Sequence, residues 1–112
     1  MALVITAVEV IAVCPKLASR YAHRLADYYT IDHRDFIKVS TDTGVVGWGE
    51  NRARPGSHLA PGSYDHLTGL SCFEAVHAPG LDPGVCTALY NAMGKHLDLP
   101  VHALLSGTQV RQ

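Results

Sequence analysis

The stretch "DFIKVSTDTGVVGWGE", residues 35–50, decides the fold, because it holds two alternating arms around a short polar turn. "FIKVST" alternates apolar and polar positions and "VVGWGE" resumes the pattern. "DTG" between them carries turn chemistry, with Gly44 able to take the positive φ that a short hairpin loop requires. The stretch therefore reads as an antiparallel hairpin. Gly47 and Gly49 fall within its second arm, where glycine weakens a strand unless the backbone must bend or a neighbour must come close. Between them stands Trp48, the only tryptophan of the chain, expected in the core against something bulky.

Upstream, "MALVITAVEVIAV" is rich in Val and Ile and alternates, with Ile5, Ala7, Glu9, Ile11 and Val13 on one face and Val4, Thr6, Val8, Val10 and Ala12 on the other. It reads as a strand that Pro15 ends, since proline cannot donate to a ladder. The run lacks a basic leader, carries Glu9, and is shorter than the ~20 residues that span a bilayer, so it reads as neither signal peptide nor anchor. From 16 to 33, "KLASRYAHRLADYYTIDH" loses the apolar period and reads as a mobile loop, with a short helix in part of it as the alternative.

Downstream, the two Pro-Gly steps of "RARPGSHLAPGS" mark another loop. Leu67, Leu70, Phe73 and Val76 or His77 recur at near-helical spacing, predicting a helix over 64–77, although Gly69 costs about 1 kcal/mol relative to alanine. In "LDPGVCTALYNAMGKHLDLPVHALLSG", Asp82 suits an N-cap and Pro83 the first helical position. Val85, Ala88, Leu89, Ala92, Met93 and His96 then form one helical stripe over 83–97. Pro100 opens a second short helix, 100–105, which Gly107 stops. The expected fold class is α+β: a three-stranded antiparallel sheet from 3–13, 34–41 and 45–50, followed by a small helical bundle. All of it forms one domain, 1–112, with its sheet part in 1–51 and its helical part in 63–107.

A chain of 112 residues fits one domain that buries roughly 65% of its unfolded surface, enough for a core without staples. Nine basic against ten acidic residues, a net charge of -1, leave no footprint for nucleic acid or an anionic membrane, so neither partner is expected. Cys14, Cys72 and Cys86 are an odd count at wide spacing with no CxxC pair, which points to reduced thiols and a cytoplasmic location.

"VEVIAV", "VSTDTGVVGWGE" and "ALYNAMGKHLDLPVHALLSGTQVR", in that order, resemble the N-terminal capping domain of the enolase superfamily, in its mandelate racemase and muconate lactonizing enzyme branch. That family's last block usually reads close to ALWDLKGKxLGLPVxxLLGGxVR. Here Tyr90 replaces the usual Trp, Asn91 the Asp, Cys86 a common Asp, and Ser106 the first glycine of the GG pair. The segment between Glu50 and Val85 is also shorter than usual. The resemblance covers most of the chain, and the family's barrel domain is not expected within it.

The resemblance implies that catalysis belongs to that barrel, where carboxylates hold Mg2+ and Lys or His bases move a proton beside a substrate carboxylate. No catalytic residue, metal ligand or cofactor is therefore assigned to these residues. A capping domain supplies a lid instead, from one loop after the first strand and one after the GWGE strand. These match "KLASRYAHRLADYYTIDH" and "NRARPGSHLAPG", which makes Tyr21, Tyr28, Tyr29, Arg52 and Arg54 the side chains offered to a substrate. The hairpin glycines would let the arm bend so that its loop reaches the barrel mouth.

Each candidate has a plainer role open to it. Tyr28 and Tyr29 would anchor their loop to its own core, and Arg52 and Arg54 would be solvated rather than clamping a carboxylate. Glu50 is expected as a structural hydrogen-bond acceptor. Among the seven histidines, His66 and His77 flank Cys72, but separations of six and five residues do not align ligands on one helix face. No structural metal is expected, and no GxSxG elbow or thiol with a partner base suggests a nucleophile.

Two functions stay open. One is a stand-alone or truncated capping domain without activity of its own, either the product of a shortened gene or one piece of a split enzyme whose barrel is separately encoded. The other is a small oligomeric module that holds a small acid or a protein partner through the former lid surface. With 47% hydrophobic and 17% charged residues, and a face that a barrel would cover, a homo-oligomer is expected.

Overall fold

The computed structural model describes residues 3–13, 33–53 and 57–100. Three strands, β1 (Ile5–Val13), β2 (Arg34–Thr41) and β3 (Val46–Arg52), form an antiparallel sheet in the order β1-β2-β3. The hairpin closes over Thr41–Val45, with Gly44 at φ +85° donating its N–H to the Thr41 carbonyl at 3.2 Å. The α+β class and the three strands match the sequence reading.

One helix, α2 (Pro83–Leu97), lies across the inner face, chiefly over β3 and secondarily over β2. It presents Val85, Ala88, Leu89, Ala92 and Met93 to Ile5, Val8, Ile37 and Val39, all buried. His96, expected in the same stripe, is exposed beyond the sheet.

The segment 64–77 departs from the expected single helix. It forms a 3-10 turn, Asp65–Leu67, then a turn in which Gly69 takes φ +94°, then a four-residue helix, α1 (Cys72–Ala75). A left-handed residue stops an α-helix, and Ser71 restarts one by accepting the Phe73 N–H at 3.2 Å. The break has a use: the Ile5 N–H reaches the Leu70 carbonyl and the Gly69 N–H the Ile5 carbonyl, at 2.8 and 2.9 Å. A continuous helix would have consumed those groups internally. The helix expected over 100–105 lies, apart from Pro100, outside the described residues.

β1 also breaks its own alternation. A register shift between Ile5 and Ala7 places Thr6 as an extra residue. Ile5 and Val8 are therefore both buried, at 1% and 3% exposure, although strict alternation sets them on opposite faces.

Gly47 and Gly49 face α2. A Cβ on either would fall within the van der Waals envelope of a helix carbonyl, that of Ala88 for Gly47 and that of Gly84 for Gly49. The pair thus serves close approach, and the bend expected of it is not needed to explain it. Trp48 consequently points the other way. It is 44% exposed on the outer face, with the Lys38 ammonium 5.7 Å from its ring centroid, so the expectation of a core tryptophan was wrong. The helix occupies the side of β3 where a bulky side chain would have gone.

Candidate functional site

β1 ends, β2 begins and β3 ends on one cross-strand row, Val13↔Arg34↔Arg52. The segments 14–32 and 54–56 therefore both root at this end of the sheet. Here β2 carries Asp35 on its inward face, in line with Ile37 and Val39, and Asp35 is 2% exposed.

Burying a carboxylate requires partners for both oxygens. Oδ1 accepts from His58 Nδ1 at 2.7 Å and Oδ2 from the Leu59 N–H at 2.9 Å. Since a carboxylate only accepts, His58 holds a proton on Nδ1, and its Nε2 faces His33 Nδ1 at 3.1 Å. The His33 carbonyl accepts the Ala53 N–H at 3.0 Å and an Arg34 guanidinium N–H at 3.3 Å. Side chains and backbone thus tie the start of β2, the end of β3 and residues 57–59 into one cluster.

Beside it lies a cleft of about 420 Å³ lined by Asp35, Glu50, Asn51, Arg52, Ser57, Leu59, Asp82 and Pro83. Arg52, the one lid candidate within the described residues, is exposed on its wall. Tyr21, Tyr28, Tyr29 and Arg54 lie outside the described residues. Glu50 is not the structural acceptor expected of it: its exposed carboxylate stands 3.7 Å from Arg34 Nε, a solvated pair of small worth.

The structural acceptor is its neighbour Asn51, whose Oδ1 takes the Gly84 N–H at 2.6 Å. That bond caps the start of α2 from a different element. Asp82 occupies the N-cap position without a side-chain cap bond, because its carboxylate takes the Tyr64 hydroxyl instead. Burial first, and then that hydrogen bond, raise the Tyr64 pKa. Farther along, Asn91 Oδ1 accepts the Trp48 N–H at 3.0 Å and Lys95 Nζ donates to the Val46 carbonyl at 2.7 Å.

The Asp35–His58–His33 cluster was not found from the sequence. Its signal was present, since Asp35 holds an inward position in an otherwise apolar stripe. His66 and His77 are exposed while Cys72 is buried. The Mg2+ that the resemblance implies wants several oxygen ligands. Among the described residues no three His, Cys, Asp or Glu side chains are grouped to hold a metal, and both Asp35 oxygens are committed. The described residues do not fit that ion.

Sheet order, register and the helix on the inner face define an α+β domain, a fold consistent with that of the enolase N-terminal domain. No family model and no curated protein matches the chain. Among solved structures it is similar to an isomerase from Streptomyces coelicolor A3(2), at 27% identity and a TM-score of 0.60, over 93% of this chain and 31% of that one. It is also similar to a mandelate racemase/muconate lactonizing enzyme from Sulfitobacter sp, at 21% identity and a TM-score of 0.51, over 93% of this chain and 30% of that one. The second likeness bears on the fold alone. The fold is consistent with a partial enolase-superfamily domain, and the chain spans about a third of the length of either structure. No described helix is long and apolar enough to cross a membrane.

Proposed function

We propose that this chain is the capping domain of an enzyme of the mandelate racemase/muconate lactonizing type, acting as its substrate-specificity lid and carrying no catalytic activity itself. The observation that carries the reading is the likeness of 93% of this chain to only 31% of the isomerase. The common end of the sheet at which β1 stops and β3 stops supports it, because the chain leaves both strands on the same side. Tyr21, Tyr28, Tyr29, Arg52 and Arg54 are the proposed substrate contacts. Proton transfer and the Mg2+ it requires belong, in this reading, to a barrel in the same or another polypeptide.

Two experiments test it. Given Mg2+ in deuterium oxide, these 112 residues alone should leave the α-proton of mandelate or a sugar acid in place, and deuterium at that carbon would overturn the reading. Exchanging this chain for the matching third of the Streptomyces coelicolor isomerase should give a folded chimera with altered substrate preference. A chimera with unchanged preference would refute the lid role.

We further propose a homo-oligomer that covers the outer sheet face. Support comes from Ile11 and Trp48, exposed there at 41% and 44%, flanked by the Lys38–Glu9 and Arg34–Glu50 pairs.

A further inference from the structure

We propose that His33 and His58 form a two-histidine site for a borderline divalent ion, Zn2+ or its neighbours Co2+, Ni2+ and Cu2+, with Asp35 as the carboxylate that orients His58. The site does not depend on the capping role. Two imidazole nitrogens bound to one tetrahedral ion at about 2.0–2.1 Å lie about 3.3 Å apart. His33 Nδ1 and His58 Nε2 are 3.1 Å apart and face one another, so a turn of each ring by roughly 35° brings both lone pairs onto one tetrahedral ion. The rings are tilted by 52° with centroids 5.3 Å apart, so they meet through these nitrogens rather than face to face.

The surroundings are those of a prepared ligand. A metal-binding histidine characteristically donates its second ring N–H to a carboxylate, which fixes its tautomer and raises its basicity. Asp35 does this for His58, and the Leu59 N–H fixes Asp35 in turn. His33 lies just before β2 and His58 in the segment 57–60, and the Asp35 bonds to His58 and Leu59 join the two segments, so ring placement comes with the fold. Without metal, the nitrogens share one proton, which His33 donates from Nδ1. On binding, that proton moves to His33 Nε2 and the ion takes its place, so the neutral pair need release none. Nitrogen donors select these ions over Mg2+. Among the described residues no third ligand is grouped with the pair.

The test uses the whole chain without a histidine affinity tag. Zn2+ and Co2+ are titrated calorimetrically, and the imidazole nitrogens are followed by NMR. One ion per chain should bind, shifting His33 Nδ1 and His58 Nε2, with a hundredfold excess of Mg2+ not displacing it. His33→Gln and His58→Gln should each weaken binding at least tenfold, Asp35→Asn about tenfold, and His77→Gln not at all. Equal binding by the wild type and His33→Gln, or unshifted His33 and His58 signals at saturating Zn2+, overturns the site. Should His58→Gln fail to fold by circular dichroism, His33→Gln and the wild-type spectra decide.

Discussion

A Cβ placed on Gly49 would lie 2.8 Å from the Ala88 nitrogen and inside the Gly84 carbonyl, so α2 can rest on β3 only while that position is glycine. The obstacle is backbone on both sides, and no rotamer change relieves it. Gly49→Ala and Gly47→Ala should each cost about 3 kcal/mol or more, the upper part of the overpacking range. Gly44→Ala, with open space but φ +85°, should cost only about 1–2 kcal/mol. Urea denaturation midpoints rank the three, and an equal loss at all positions would contradict the account.

The edge of β3 is sealed by side chains from α2. Asn91→Leu leaves the Trp48 N–H to water and should cost about 0.5–1.5 kcal/mol, with increased self-pairing of the bared edge. Asn91→Asp, the residue usual in the resembling family, keeps the acceptor and makes the bond charge-assisted. Its stability should equal or exceed wild type at neutral pH. Paired urea curves of the two variants check this.

Burial pushes the Cys72 thiol up from an ordinary 9.0 to about 11. In native protein at pH 8 it should resist iodoacetamide, while the partly exposed Cys86 reacts. The linkage has a definite sign. Above pH 9 the unfolded thiol loses its proton while the folded one keeps it, so this contribution to stability is complete below 9 and is lost as pH rises towards 11. Tyr64, also raised, adds to the alkaline loss. Melting temperatures from pH 8 to 11 should fall, and Cys72→Ala should flatten the fall.

Trp48 reports on assembly, being the only tryptophan and 44% exposed. In dilute solution its emission should be red-shifted and open to acrylamide. If the outer sheet face is the interface, both signs should diminish over the concentration range in which sedimentation equilibrium shows mass above 12.1 kDa. Association that leaves Trp48 fully quenchable would place the interface elsewhere.

Asp35 joins β2 to the segment 57–59 through both oxygens of one carboxylate. Asp35→Ala leaves the Leu59 N–H and the His58 Nδ1–H without their acceptor and should cost about 3 kcal/mol. Asp35→Asn keeps an acceptor for one of them and should lose less. Thermal melts compare the two, and amide exchange at Leu59 should quicken in the alanine variant.

Local chemistry placed the hairpin, its turn at Gly44, the three strands and the long helix opening at Pro83, because alternation, turn residues and helical periodicity act over a few residues. The resemblance followed from the same blocks, whose co-occurrence now has a cause: GWGE supplies the glycines and edge groups that the small residues, Asn91 and Lys95 of α2 meet. Tertiary structure decided what depends on residues far apart in sequence. Gly47 and Gly49 admitted either a bend or a close neighbour, and only the position of α2 chose the neighbour and turned Trp48 outward. Leu67, Leu70 and Phe73 kept a helical period, but Gly69 in its left-handed conformation gave up the helix to bond the Ile5 backbone. Asp35, His33 and His58 carried no mutual spacing to read. They meet because β2 begins where β3 ends, and a buried carboxylate draws donors from whatever segments the fold brings to it.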